Sequence, residues 1–108
     1  MAGTFSIKAL GEGQLAASKG TIYTTPVSTQ TIIKTMTLVN TSAGALTCNL
    51  YIKTGLTSRR IIPKDLSLGA GEALETDTDY TLEAGDLIEG DASSATSIDY
   101  TISGIEET

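Results

Sequence analysis

The sequence contains no histidine and no tryptophan, and its one cysteine is Cys48. A chain without histidine lacks the usual base of a catalytic triad, and the Cys48 thiol has no imidazole to activate it. One cysteine and no histidine also leave a zinc site without ligands. A lone cysteine cannot close an internal disulfide, so folding does not call for an oxidising compartment. Aromatics make up 5% of the chain, too few for a broad sugar-stacking platform. No apolar run approaches the roughly 18 residues of a membrane span. The start, Met1-Ala-Gly-Thr4, has neither the basic nor the apolar region of a signal peptide. The sequence therefore predicts a soluble product, made in the cytoplasm and with no membrane partner. Basic residues are scarce as well: 7 Lys and Arg stand against 13 Asp and Glu, a net charge of −6. Such a chain repels phosphate, and no nucleic-acid partner is expected.

What is abundant is threonine, serine, glycine and the β-branched aliphatics. These suit pleated strands broken by turns. The 108 residues fit one domain. A first strand is predicted over Phe5–Leu10, broken by Gly11 and Gly13. Gln14–Ser18 is weakly apolar. Thr21–Thr24 forms a strand ended by Pro26. Thr29–Asn40 is the longest candidate, with Ile32, Met36 and Leu38 on its inner face. Ile33 and Val39 fall on the opposite parity, which calls for a bulge or for cover on both faces. Ala45–Lys53 alternates cleanly, with Leu46, Cys48, Leu50 and Ile52 inward. These two strands are expected to form an antiparallel hairpin over the turn Asn40–Gly44. Cys48 thus reads as a small buried hydrophobe. Short strands follow at Arg59–Ile62, Asp65–Leu68 and Glu72–Glu75, and Tyr80–Asp86 and Leu87–Glu89 form two short pieces around Gly85. Ile98, Tyr100 and Ile102 mark the last.

About eight short strands without a helical stripe predict an all-β fold: a single antiparallel β-sandwich, jelly-roll or Ig-like. Residues 1–20 read as an N-terminal arm or edge segment and 21–108 as the sandwich domain. Deleting residues 2–20 is accordingly expected to leave the sandwich folded.

The remaining chemistry is sparse. Asp77, Asp79, Glu83 and Asp86 form the densest acidic group. They could offer oxygen ligands to Ca²⁺, but they do not follow the EF-hand pattern, and exposed turn acids are the plainer reading. Gly11-Glu-Gly13 and Gly69-Ala-Gly71 lack the partners of a phosphate loop. No catalytic, cofactor-binding or metal-binding residue is assigned, and the chain is expected not to be an enzyme. Interface candidates are Phe5 and Ile7 in the N-terminal segment, Tyr51 on the outer face of its strand, and the basic pair Arg59 and Arg60. Tyr is enriched at interfaces, though a tyrosine resting on a sheet is the plainer reading. The arginines could meet an acidic neighbouring subunit or be simply solvated.

The runs Thr21-Ile-Tyr-Thr-Thr-Pro26, Thr37-Leu-Val-Asn-Thr-Ser42 and Ile62-Pro-Lys-Asp-Leu-Ser-Leu-Gly-Ala-Gly-Glu72 resemble small virion proteins of tailed bacteriophages. So do Tyr80-Thr-Leu-Glu-Ala-Gly-Asp86 and Ile98-Asp-Tyr-Thr-Ile-Ser-Gly-Ile-Glu106. The resemblance spans residues 21–106 and rests on strand and turn patterns. It implies a small sandwich that decorates a capsid or forms part of a tail, found in the virion after synthesis in the host cytoplasm. The implied partners are major capsid or tail proteins and further copies of the chain. A carbohydrate- or cell-surface-binding module, with Ca²⁺ at Asp77–Asp86, is the alternative.

Overall fold

The computed structural model describes residues 3–108. Among these residues, ten strands form two five-stranded antiparallel sheets. In sheet A, β1 (Phe5–Gln14) lies beside β10 (Ile98–Glu107), then β3 (Gln30–Asn40). Both β7 (Ala73–Thr76) and β8 (Tyr80–Leu82) pair with the far side of β3. In sheet B, β2 (Gly20–Thr24) lies beside β9 (Leu87–Ala92), then β4 (Leu46–Thr54). There β5 (Thr57–Arg60) and β6 (Leu66–Leu68) share the far side of β4. Each sheet therefore has four strand positions, the last one interrupted. The orders β1-β10-β3-β7/β8 and β2-β9-β4-β5/β6 are those of a jelly roll.

Alternation builds the core. Ile33, Met36, Leu38, Ile98 and Ile102 point inward from sheet A, and Cys48, Leu50 and Ile88 meet them from sheet B. Two bulges set the phase in sheet A, and a third irregularity, at Ile22, lies in sheet B. Pairing of β10 with β3 steps from Ser103↔Thr35 to Gly104↔Ile33, leaving Lys34 over. That extra residue turns Ile33 inward and Ile32 outward, correcting the expected inner face while keeping Met36 and Leu38. A second bulge, at Leu10, lets β1 run on through both glycines instead of ending there. Gly13 sits opposite Tyr100, where a Cβ would come within 3.2 Å of the ring.

The predicted hairpin between Thr29–Asn40 and Ala45–Lys53 is also corrected. β3 and β4 belong to different sheets, joined by an arch. Both carry a continuous apolar face, and stacking those faces across the sandwich buries more than pairing their edges would. The weakly apolar stretch after Gln14 hides a core residue, since Leu15 is fully buried. Truncation of residues 2–20 would therefore remove a strand and a core leucine, so a folded remnant is no longer expected. Residues 1 and 2 of the proposed arm lie outside the described residues.

Candidate functional site

β1 holds the outer position of sheet A and, among the described residues, pairs with β10 alone. Its other side presents unpaired backbone N–H and C=O groups, a template for a further strand. Phe5 and Ile7 stand on its solvent face. Ile7 pairs with Ile105, and Ile105 with Ile32, so an isoleucine row crosses three strands. Lysines commonly guard such an edge, but Lys8 is drawn inward to the buried Glu106 carboxylate at 2.9 Å. The bulge at Leu10 leaves Phe5–Ala9 as the regular part of the edge.

The same end of the sandwich carries the other exposed apolar side chains. Thr24 and Lys53 both pair with Leu87, which places the 25–29 loop and the turn after Thr54 beside the 83–86 loop. Val27 and Leu56 project there. Exposure is 69% for Phe5, 91% for Ile7, 86% for Val27 and 97% for Leu56. The opposite end is built of small and polar loops, such as Ala43-Gly44-Ala45 and Ser93-Ser94-Ala95. The long axis, 51 Å, thus runs from an apolar tip to a polar one.

Tyr51 lies on the outer face of sheet B but is only 8% exposed. Lys19 Nζ lies over its ring at 4.3 Å and Arg60 Cζ at 5.0 Å. Its hydroxyl donates to Asp91 at 3.0 Å. Arg60 donates to Asn49, and Asn49 donates to Asp65 and Asp91 at 3.0 and 2.8 Å. Tyr51 is thus sealed under a polar lattice, while Arg59 beside it is exposed. The structure groups Phe5 with Ile7 and Tyr51 with Arg60, on different sheets.

Beneath the apolar tip, a polar contact ties the sheets together. Tyr23 Oη donates to Glu106 Oε2 at 2.7 Å and meets Thr31 Oγ1 at 2.8 Å. The Lys8 hydrogen bond, then the Tyr23 hydroxyl, hold the Glu106 carboxyl below its ordinary value. Burial above all pushes Tyr23 up to about 12. The signs give two limbs. Glu106 contributes stability above the ordinary carboxylate value of 4.5, lost as pH falls through its lower folded value. Tyr23 contributes stability below 10.0, lost as pH rises from there towards about 12. Thermal unfolding across pH is expected to show a shallower acid limb in Glu106→Gln and a shallower alkaline limb in Tyr23→Phe. Unchanged slopes would discard this assignment.

The acidic group at Asp77–Asp86 is dispersed into local bonds. Asp79 accepts from Lys34 at 2.9 Å, Glu83 from Gln30 at 2.7 Å, and Asp86 from the Glu83 N–H at 2.9 Å. No group of three possible metal ligands occurs among the described residues. Cys48 is buried, and desolvation first, then the Asp91 charge, pushes its thiol up to about 11.

No protein-family model matches this chain, and no curated protein matches it. Solved structures share its fold, among them the following two. One is a protein of Bacillus endospore appendages, described as disulfide-linked pili. It matches with a TM-score of 0.57 and 20% identity over 98% of this chain and 89% of that one. The other is from the infectious bursal disease virus Gx strain, with a TM-score of 0.53 and 13% identity. This chain is covered over 97% but spans 32% of the viral one. These likenesses establish the fold alone.

Sequence reasoning missed Ile105, Ile32, Val27 and Leu56 as surface residues. Ile105 was readable, since it falls on the opposite parity to Ile98 and Ile102. Ile32 was readable only in part, because the opposite parity of Ile33 called for a bulge or for cover on both faces without saying where a bulge falls.

Proposed function

We propose that this chain is a non-enzymatic structural subunit of a virion, made in the host cytoplasm and joined to its neighbours through the β1 edge. The finer reading is a tailed-phage protein that decorates the capsid or forms part of the tail, in contact with major capsid or tail proteins and further copies of itself. The observation that carries it is the open edge strand with Phe5 and Ile7 standing on it beside Ile105. A monomer rarely leaves such an edge both unpaired and apolar. Weak contacts of this kind hold firmly when repeated over a symmetric particle. Resemblance to phage virion proteins over residues 21–106 supports the reading. So does a fold shared with an appendage protein and a viral one. The disulfide linkage of the appendage does not carry over, because Cys48 is single and buried.

The test joins Phe5→Ser to Ile7→Lys. Both side chains are exposed, so the melting temperature is expected to hold. Self-association or incorporation into particles is expected to fall at least about tenfold, read by sedimentation and by immunogold microscopy. Undiminished incorporation would overturn the edge reading. Gold over the heads of wild-type particles would indicate decoration, and gold along the tail a tail role. Particles free of gold would overturn the virion reading.

A further inference from the structure

The charges of this acidic chain are sorted between its two broad faces. Glu12, Glu75, Asp99 and Glu107 take outward positions on sheet A, opposite Thr101, Thr37, Val39 and Phe5. Lys34, at the bulge, is occupied by Asp79 at 2.9 Å. Glu12 and Glu75 have no ion pair among the described residues.

Sheet B has the reverse character. Of the chain's 7 basic residues, all but Lys8 and Lys34 belong to sheet B, its β5–β6 edge or the loop above it: Lys19, Lys53, Arg59, Arg60 and Lys64. The acids of this face are used internally. Glu89 accepts from Ser58 at 2.7 Å and lies 3.6 Å from Lys19, and Asp65 and Asp91 hold Asn49. Lys53 and Lys64 have no ion pair among the described residues, nor has Arg59, which pairs with the inward Ile52 and so stands at the exposed β5 edge instead of on the outer face. One face thus offers free carboxylates and the opposite one free cations.

We propose that the acidic outer face of sheet A in one copy docks on the basic face and β5–β6 edge of sheet B in the next. The proposal rests on the assembly reading above and specifies its partner and polarity. Two copies joined face A to face A would set carboxylate against carboxylate. Face A on face B matches opposite signs and is heterologous, so it propagates into a ring or a filament according to the rotation between copies. The apolar row Phe5, Ile7, Ile105 and Ile32 shares the outer face of sheet A with these carboxylates, so within one surface the apolar side chains supply adhesion and the charges direction.

The test is a charge exchange in the full chain, followed by sedimentation velocity over a range of NaCl. Wild-type association is expected to weaken roughly tenfold or more between low salt and half-molar salt, where screening acts within a few ångströms. Glu12→Lys with Glu75→Lys is expected to abolish association, as is Arg59→Glu with Lys64→Glu. A mixture of the two variants is expected to restore it, because each then presents the sign the other lacks. Association that ignores salt and both reversals would overturn the proposal. If the Phe5→Ser, Ile7→Lys variant still fails to associate in that case, the edge reading survives alone. A wild-type chain that stays monomeric at every salt concentration would overturn both.

Discussion

Gly104→Val is expected to unfold this protein, and Gly104→Ala to destabilise it by about 3 kcal/mol. A Cβ at this position would run into the backbone carbonyl oxygen of Ile32 and come within 2.9 Å of Leu10 Cδ1. The obstacle is main chain, fixed by the ladder on both sides, so no rotamer change relieves it. Gly104 faces inward where β10 meets the β3 bulge, opposite Ile33 on one side and Lys8 on the other. Displacing it would loosen the buried row of β3 and the seat of the β1 edge together. At about 3 kcal/mol the melting temperature is expected to drop by roughly 15 °C. Gly44→Ala is the control: its Cβ would meet nothing within 4 Å, and its melting temperature is expected to stay within a degree or two of wild type. An equally mild effect of Gly104→Ala would mean that the bulge yields.

This glycine shows where the sequence stops being legible. In Ile98-Asp-Tyr-Thr-Ile102 the alternation is regular, and the inward set follows from parity alone. Gly104 keeps that parity, yet nothing in the sequence says that another strand's backbone presses on it. The bulge at Leu10 is hidden for the same reason, because it answers to its partner strand, while the one at Lys34 left a trace in the parity of Ile33 but not its position. The strand β4 was fully legible, since its alternation is uninterrupted and its inner face is aliphatic. Its partner was not: a five-residue polar connection suits a hairpin, and only the need to bury two apolar faces makes it an arch.

The candidate site divides along the same line. Exposure of Phe5 and Ile7 is a local property of an edge strand, and the sequence suggested both. The burial of Tyr51 is not local. It depends on Lys19 from the 15–19 loop and Arg60 from β5 closing over the ring. The sorting of charge between faces likewise appears only once the strands are assigned to sheets.

Asn40→Leu is expected to cost about 3 kcal/mol, although leucine is the more hydrophobic residue and the site is fully buried. The Asn40 amide donates to the carbonyl oxygens of Gly44 at 2.8 Å and Leu68 at 3.0 Å. Its Oδ1 accepts from Ser42 N at 2.9 Å and Ser42 Oγ at 2.7 Å. All four hydrogen-bonding sites of the side chain are used. Its own backbone accepts from Gly71 N at 2.9 Å and donates to Glu72 O at 2.9 Å. One residue thus ties the end of β3 to the arch, to β6 in the other sheet and to the turn before β7. Leucine would fill the space and strand those partners. Urea unfolding should show the loss as a lower midpoint at unchanged slope. Asn40→Asp separates hydrogen bonding from shape. Aspartate keeps the two acceptor contacts but sets a buried negative charge against two carbonyl oxygens, which raises its folded pKa. A raised value means stability is present when the group is protonated and lost as pH rises through that value. The variant is therefore expected to gain on the wild type as pH falls towards about 4, against the acid limb set by Glu106. If the gap between Asn40→Asp and wild type did not change with pH, the amide would be dispensable, and packing of the arch would have to rest on Leu46 and Leu68 instead.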